Sequence, residues 1–130
     1  MASNLSVVNG KSATTSLGPG VTPYKLIASG VSADQNLVAA GSRVLYSISA
    51  SNANAALRYV KLYNKATAPV VGTDIPTCVF AIPPSNSVNL TFNAGIAFPL
   101  GLGIGLVTGV IDGNSTSIGA SETVVTLSYV

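Results

Sequence analysis

The sequence has little charge, no histidine and no tryptophan, and these shortages exclude most kinds of active site. Only 8% of its 130 residues are charged, against about a quarter in an average soluble domain. Without histidine, a zinc site lacks its commonest ligand and a serine or cysteine nucleophile lacks its usual base. We therefore expect no enzyme, no bound metal and no cofactor. The four acidic side chains are Asp34, Asp74, Asp112 and Glu122.

Cysteine and positive charge are also scarce. The single Cys78 excludes an internal disulfide framework. It alternates with Phe80 and Ile82, so we interpret it as a small buried hydrophobic residue rather than a reactive thiol. A net charge of +2 from six scattered cations leaves no basic patch for a nucleic acid, and we predict no nucleic-acid partner.

The longest uncharged apolar stretch does not predict a membrane helix. Residues 94–111 are long enough to approach a membrane span, but they contain Pro99 and five glycines. Glycine costs a helix about 1 kcal/mol and proline about 3 kcal/mol at interior positions. Leu102, Ile104 and Leu106 alternate with glycines at a period of two, which is the period of a strand. We expect a strand here and no membrane partner.

Small uncharged polar residues are abundant. Hydrophobic residues make up 48% of the chain, and 37 residues are Ser, Thr or Asn. The hydrophobic fraction suffices for a folded core. The many Ser, Thr and Asn residues predict a surface of hydroxyl, amide and backbone groups. Such a composition suits a chain that is packed against other protein molecules.

The pattern along the chain predicts eight or nine short strands joined by turns. In 42–50, apolar Val44, Tyr46 and Ile48 on one face alternate with Ser47 and Ser49 on the other. No segment has the period of a long helix, although 33–40 could form a helical turn. The expected fold class is all-β, an antiparallel sandwich or small barrel. The candidate strands are 24–28, 36–40, 42–50, 57–64, 77–82, 88–92, 95–98, 100–108 and 123–130.

The first 23 residues predict an extended N-terminal arm, and 24–130 predict the β-sandwich domain. The arm carries the breakers Gly18-Pro19-Gly20 and Pro23, and few large apolar side chains. It cannot form a core alone, so it is either disordered or ordered by a neighbouring molecule.

Two groups of residues are candidates for contact with a partner. Tyr59, Lys61 and Tyr63 share one face of their predicted strand, and tyrosines beside a lysine suit an interface. The alternative is a half-buried sheet face with the lysine ammonium reaching the solvent. The glycines of 101–105 leave one strand face bare, either for a partner strand or for a tyrosine from a neighbouring strand of the same chain.

The middle and the end of the chain resemble small virion proteins of tailed bacteriophages. The resemblance lies in Tyr59-Val-Lys-Leu-Tyr-Asn-Lys-Ala-Thr-Ala-Pro-Val-Val-Gly-Thr-Asp-Ile-Pro76, then Phe80-Ala-Ile-Pro-Pro84 and Phe92-Asn-Ala-Gly-Ile-Ala-Phe98. A glycine-alternating strand follows, and Gly119-Ala-Ser-Glu-Thr-Val-Val-Thr-Leu-Ser-Tyr-Val130 closes the chain. Together these segments cover roughly residues 40 to 130, and the first is the most specific of them.

The resemblance implies a jelly-roll-like domain on the phage particle, often a capsid decoration or cement protein, with no catalytic residue to carry over. The expected function is therefore that of a bacteriophage virion structural protein that binds and stabilises the assembled head shell. Its expected partners are the major capsid protein and itself, as a homo-oligomer and most simply a homotrimer. The expected location is the capsid exterior of the virion, and the arm would be ordered by a neighbour. The alternative function is a receptor- or glycan-binding domain of a tail fibre or baseplate.

Overall fold

A computed structural model describes residues 20 to 130. Within that range the chain forms eight β-strands and one short 3-10 turn, Ser32–Asp34. Residues 1 to 19 of the predicted arm therefore lie outside the described residues. The first strand begins at Thr22, two residues before the predicted start at residue 24. The strands are β1 (Thr22–Ile27), β2 (Asn36–Ala40), β3 (Arg43–Asn52), β4 (Arg58–Asn64), β5 (Cys78–Ile82), β6 (Asn86–Phe98), β7 (Gly101–Val107) and β8 (Thr123–Tyr129).

The strands of the first half of the chain pair with those of the second half in reverse order. Antiparallel pairs join β1 to β8, β2 to β7, β3 to β6 and β4 to β5. Two further antiparallel pairs, β3 with β8 and β4 with β7, complete two four-stranded sheets. The first sheet has the order β1-β8-β3-β6 and the second has the order β2-β7-β4-β5. The prediction of an all-β antiparallel sandwich is confirmed.

One hydrophobic core fills the space between the two sheets. Alternate residues of each strand point into it, as the pleat of a β-sheet requires. Phe98 and Leu127 of the first sheet and Leu62 and Ile104 of the second are all fully buried. The first sheet buries one face only, so the sequences of its strands largely alternate between apolar and polar residues. In the second sheet β7 is buried on both faces.

Two predicted strands, 88–92 and 95–98, form the single strand β6. Leu45 of β3 pairs with Ile96 of β6, but Ser47 pairs with Thr91. One residue of β3 therefore faces four residues of β6, and the ladder contains a bulge larger than the usual two residues against one. Gly95 lies in the bulge with φ +77°, a conformation that glycine adopts without strain.

Because of this bulge, the residues of β3 do not lie on the faces that the sequence predicted. The uninterrupted alternation placed Val44 and Tyr46 on the same face as Ile48. The structure instead buries Leu45 together with Ile48 and Ala50, while Val44 and Tyr46 are only partly buried. The irregular pairing between Leu45 and Ser47 shifts the alternation by one residue, because a bulge exchanges the faces of the residues beyond it.

The prediction of a possible helical turn at 33–40 is wrong in its extent and in its handedness. Asn36–Ala40 forms strand β2, and only Ser32–Asp34 form a turn. Ser32, Ala33 and Asp34 all have φ near +50°, with values of 52°, 51° and 50°. Residues other than glycine rarely adopt this left-handed backbone conformation, so contacts with the rest of the protein must stabilise the turn. One of these contacts is a hydrogen bond of 2.8 Å from the Ala33 N–H to the Ser117 hydroxyl.

In the stretch that the structure describes, no helix is long and apolar enough to cross a membrane. The apolar 94–111 segment instead supplies the end of β6 and the whole of β7, so the predicted strand is confirmed.

Candidate functional site

The structure places Lys61 inside the protein rather than on an exposed face. Its side chain is 0% exposed, and its ammonium donates hydrogen bonds to the carbonyl oxygens of Ile111 at 2.6 Å and Asn114 at 3.1 Å. Burial lowers the pKa of Lys61, and the nearby Asp112 opposes that change. Neither sequence interpretation foresaw this role, in which the lysine fixes the loop between β7 and β8.

Tyr59 and Tyr63 pack beneath loops of the same chain. Tyr63 is 1% exposed and lies in a second buried cluster with Ala33, Val71 and Val107, while Tyr59 packs against that cluster and is partly buried. Burial raises the pKa of Tyr63 to about 12, with smaller contributions from Asp74 and Asp112. The expected interface of Tyr59, Lys61 and Tyr63 is thus brought together on one strand, but two of its three side chains are inaccessible unless the loops move.

The bare glycine face of β7 is covered by the same chain, but mainly by a loop rather than by the tyrosine that one sequence interpretation proposed. A Cβ at Gly103 would lie 2.9 Å from Cδ of Pro69, and one at Gly105 would lie 2.6 Å from Cγ2 of Val71. Tyr63 contributes less closely, with its Cβ 3.4 Å from the position of a Cβ at Gly103 and a ring carbon 3.7 Å from that at Gly105. The absence of side chains therefore lets the loop after β4 lie flat on the second sheet.

Two ion pairs hold the loops that cover this sheet. Arg58 pairs with Glu122, and Lys65 pairs with Asp74 at 2.6 Å. The hydrogen bonds from Lys65 and from the Val70 N–H hold the pKa of Asp74 below its usual value. Burial acts to raise the pKa of Glu122, but hydrogen bonds to that carboxylate, chiefly from Arg58, outweigh burial and lower it. Each of these charged groups therefore has a partner of opposite charge within the chain.

The outer surface of the first sheet, here called the polar face, is the candidate functional site. Ile48, Ala50 and Leu127 point into the core, so the residues between them on β3 and β8 point outward. Twelve outward residues form three rows across β1, β8, β3 and β6. The rows are Pro23, Ser128, Ser47 and Thr91; Lys25, Thr126, Ser49 and Asn89; and Ile27, Val124, Ser51 and Ser87.

The polar face is made mainly of short hydroxyl and amide side chains. Eight of the twelve residues are Ser, Thr or Asn, and Lys25 at the edge is the only charged one. A hydrogen bond of 2.6 Å joins Ser49 and Asn89 across neighbouring strands. Short side chains lose little conformational entropy when they are covered. Uncharged polar groups also cost less hydration energy than charged ones, provided that the partner surface supplies hydrogen bonds. This surface is therefore suited to contact with another large, flat and weakly charged surface.

A cleft of about 460 Å³ opens at one end of the polar face. It shares Ser51, Ser87 and Val124 with the third row, and Glu122 contributes the carboxylate that Arg58 already binds. The cleft is lined by Ser51, Asn52, Ala53, Ser85, Asn86, Ser87, Ser121, Glu122 and Val124. It offers hydroxyl, amide and carboxylate groups to a polar ligand but no aromatic ring.

Among residues 20 to 130, no cluster of three or more Cys, Asp or Glu side chains could hold a metal ion. Cys78 is partly buried and packs against the core, and burial raises the pKa of its thiol. A raised pKa makes a thiol less reactive at neutral pH, in agreement with the interpretation of Cys78 as a hydrophobic residue.

Comparison with known proteins finds no matching family model, no matching curated protein and no matching solved structure. The fold and the surface chemistry therefore carry the functional argument.

The polar face was missed at the sequence level, although part of its pattern is visible there. Ser47, Ser49 and Ser51 alternate with apolar residues in one segment, and Ser87, Asn89 and Thr91 do so in another. The alternation predicts one polar side for each strand. It does not predict that these strands are neighbours, which depends on pairings between residues about 40 positions apart.

Proposed function

We propose that this protein is a structural protein of a tailed-bacteriophage virion, a capsid decoration or cement protein bound to the outside of the assembled head shell. The observation that carries the proposal is the polar face, a broad outer surface almost free of charge. The resemblance of residues 40 to 130 to small phage virion proteins points to the same class.

The strand order supports this proposal. The first strand of this chain pairs with the last, and the pairing continues inward to β4 with β5. We propose that this strand order is that of a jelly roll, in which one long hairpin is folded into two sheets. Eight-stranded jelly rolls are common in viral capsid proteins and also occur in lectins and cupins. Because one fold serves several functions, the surface has to distinguish them.

The mechanism would be adhesive. The polar face would lie on neighbouring capsid subunits and exclude water through many short contacts. A protein that binds the assembled shell, and not the free subunits, stabilises the shell by mass action. Resistance of the particle to heat and pressure would then depend on how many copies are bound.

The size of the polar face favours binding by several copies. With strands about 4.8 Å apart and rows about 6.7 Å apart, the face covers roughly 400 Å². A stable interface needs about 800 Å² on each partner, so one face alone would bind weakly. A homotrimer that presents three faces would gain affinity through multivalency, and this is the oligomer we propose.

A single added charge tests the polar face as the adhesive surface. Ser49 lies at its centre, and Ser49→Glu would place a carboxylate that cannot be hydrated once the face is covered. We expect S49E to reduce co-sedimentation with purified heads of the encoding phage at least tenfold. The matched control is T67E, at an exposed position in the loop after β4, which makes the same change in net charge on the other sheet.

Two results would overturn the proposal. Equal binding of S49E and T67E would show that the polar face is not the adhesive surface. Cryo-electron microscopy of virions with the protein on the tail, or nowhere on the particle, would reject a role on the head.

The cleft favours a second candidate, a receptor- or glycan-binding domain of a tail fibre or baseplate. Its serine, asparagine and glutamate side chains are groups that bind sugar hydroxyls, and jelly rolls are found among lectins. Saturation-transfer NMR with surface polysaccharide from the host cell tests this candidate. Transfer to the sugar that is lost in S87E but retained in T67E would favour it over the cement role.

A further inference from the structure

A cavity of about 350 Å³ lies beside the end of β1. Its walls include Leu26 and Ile27 of β1, Val31 and Asp34 of the segment that forms the left-handed turn, and Asn36 at the start of β2. The volume is at the lower end of the range for small-ligand sites. It therefore suits a single side chain or a ligand of similar size.

A carboxylate in the wall of this cavity has no positive partner. Asp34 is only 8% exposed, and its Oδ1 accepts a hydrogen bond of 2.8 Å from the Ser29 N–H. Its Oδ2 is buried and has no hydrogen-bond partner among the described residues. A buried carboxylate is costly unless a positive charge or further hydrogen bonds compensate it. The site therefore favours a cation that brings N–H donors.

Lys25 lies on β1 itself but points away from the cavity. It forms no ion pair with a described residue and stands in the second row of the polar face. Its neighbours Tyr24 and Leu26 point to the opposite side of the strand, where both pack against the core. The Tyr24 hydroxyl accepts a hydrogen bond of 3.1 Å from Nδ2 of Asn36, a wall of the cavity. The cavity therefore extends along the side of β1 opposite to Lys25.

Arg43 also has no ion pair among the described residues, but it lies at the other end of β1. Its Nε donates to the Ala40 carbonyl at 3.0 Å, and its guanidinium carbon lies 6.0 Å from the centre of the Tyr129 ring. Tyr129 pairs with Thr22 at the start of β1, whereas Ile27 at the cavity is the last residue of that strand. Five residues of a strand span about 17 Å. The other cations in the described range are bound within the chain, namely Arg58, Lys61 and Lys65.

The apolar walls of the cavity define the rest of the ligand. Ile27 and Val31 are 49% and 64% exposed, although both side chains are large and apolar. A lysine or arginine side chain combines an aliphatic stem with a charged end that carries several N–H donors. The stem would cover the two apolar side chains, and the charged end would compensate the carboxylate. An anion would be repelled by Asp34, and a purely apolar ligand would leave that charge uncompensated.

The position of the cavity indicates where such a side chain comes from. Ile27 belongs both to the cavity and to the third row of the polar face. A protein that covers the polar face therefore borders the cavity. We propose that the cavity binds one lysine or arginine side chain of that protein, with Asp34 as its counter-ion. The identity of the partner as a capsid subunit rests on the function proposed above, whereas the cation site does not.

An NMR titration of the full chain tests the cation site without a capsid. The probes are n-butylammonium and n-propylguanidinium chloride at constant ionic strength, and the control is tetramethylammonium, which has the charge but no N–H donor. We expect at least one probe, and not the control, to shift the amide resonances of Ser29 and Asp34 saturably. Shifts that do not saturate, that lie elsewhere, or that the control reproduces would overturn the proposal.

Two matched variants test the role of the carboxylate in the same titration. D34N keeps an acceptor for the Ser29 N–H and should weaken probe binding about tenfold or more. D112N makes the same change at an exposed position in the loop after β7 and should bind as the native protein does. Equal affinities of the two variants would overturn the proposal. The location of the shifts in the native protein still tests the site if D34N does not fold.

The chain's own cations are tested in the same way. K25Q and R43Q should bind the probe with unchanged affinity, and so should K11Q, whose position lies outside the described residues. Tighter binding in any of these variants would show that its cation competes for the cavity. That result would overturn the proposal of a ligand from another molecule.

Co-sedimentation with purified heads separates this proposal from the function proposed above. We expect D34N to reduce binding about tenfold relative to D112N. A reduction by S49E but not by D34N would overturn the partner proposed for the cavity and retain the polar face as the adhesive surface. Failure of the native protein to sediment with heads, together with probe binding that depends on Asp34, would reject the role on the head and retain the cation site.

Discussion

At the scale of single residues, the second sheet depends on groups that the chain buries under its own loops. Lys61 and Tyr63 lie on the outer face of β4, yet both are covered. Lys61 is compensated by three carbonyl groups of the loop after β7. The Tyr63 hydroxyl has no hydrogen-bond partner among the described residues. These opposite situations predict different responses to mutation.

Tyr63 should make the protein less stable in alkaline solution. Its pKa is raised by burial to about 12 from 10.0, so between these values the unfolded chain releases a proton that the folded chain keeps. The free energy of unfolding therefore falls as the pH rises from 10 toward 12, by at most about 2 to 3 kcal/mol. Denaturant unfolding at pH 9 and at pH 11.5 measures the loss.

The Y63F variant is the control for this effect. It removes the ionisable group and a buried hydroxyl without a partner, so we expect equal or greater stability at neutral pH. The stability that Y63F loses between pH 9 and pH 11.5 should be smaller than in the native protein. Part of the remaining loss should come from Tyr24, whose pKa is also raised by burial. An unchanged pH dependence in Y63F would show that Tyr63 does not titrate as proposed.

Gly103 should tolerate no side chain. Its Cβ would lie 2.9 Å and 3.1 Å from two ring atoms of Pro69, and a proline ring cannot turn away. We expect G103A to reduce the free energy of unfolding by about 1 to 3 kcal/mol, measured by urea denaturation. G113A is the matched control, because nothing lies within 4 Å of its Cβ position. Equal stability of the two variants would contradict the close packing of the loop on β7.

At the scale of elements, the left-handed turn Ser32–Asp34 is the most strained segment described. Each non-glycine residue in this conformation costs about 1 kcal/mol or more. The turn brings Ala33 into the cluster with Tyr63 and Val71 and places Asp34 at the edge of β1. Its conformation is thus maintained by tertiary contacts rather than by local preference.

Replacing Ser32 by glycine should relieve part of this strain. Ser32 is exposed and has φ 52°, so S32G should raise the free energy of unfolding by up to about 1 kcal/mol. S115G, at an exposed position without a positive φ, should have no effect or a destabilising one. Urea denaturation compares the two, and a destabilised S32G would contradict the strained geometry.

At the scale of the whole molecule, the two sheets have different outer surfaces. The second sheet is covered by loops and ion pairs, whereas the first exposes the polar face. This asymmetry leaves the first sheet as the surface for a large partner. The first described strand begins at a corner of that sheet, since Thr22 pairs with Tyr129 beside the first row.

Deleting residues 2 to 20 should leave a folded sandwich, because β1 begins at Thr22 and its core residues remain. The truncated protein should form oligomers or attach to capsids less well, because an extended segment that is ordered by a neighbouring molecule adds contact area to the interface. Circular dichroism, oligomer mass and co-sedimentation with capsids measure these outcomes. If the truncated and full-length proteins bind and oligomerise equally, adhesion resides in the β domain alone.

Local sequence determined the type of the elements. The sequence placed most strands within a few residues, because a pleated strand with one buried face imposes a period of two on the sequence directly. It divided β6 into two strands and left a helical turn open in the segment that contains β2. The glycines of β7 predicted that other atoms approach this strand closely, and Cys78 was predicted to be buried and is partly so. These properties depend on neighbours along the chain.

Only the tertiary structure decided which surfaces are exposed. Tyr59, Lys61 and Tyr63 resemble an exposed face by spacing, but distant loops cover it. The bulge opposite Tyr46 exchanged the faces of β3, and the polar face arose from strands far apart in sequence. Burial and strand order depend on contacts between residues far apart in the sequence. The periodicity of a segment shows only on which side of its own strand a residue lies.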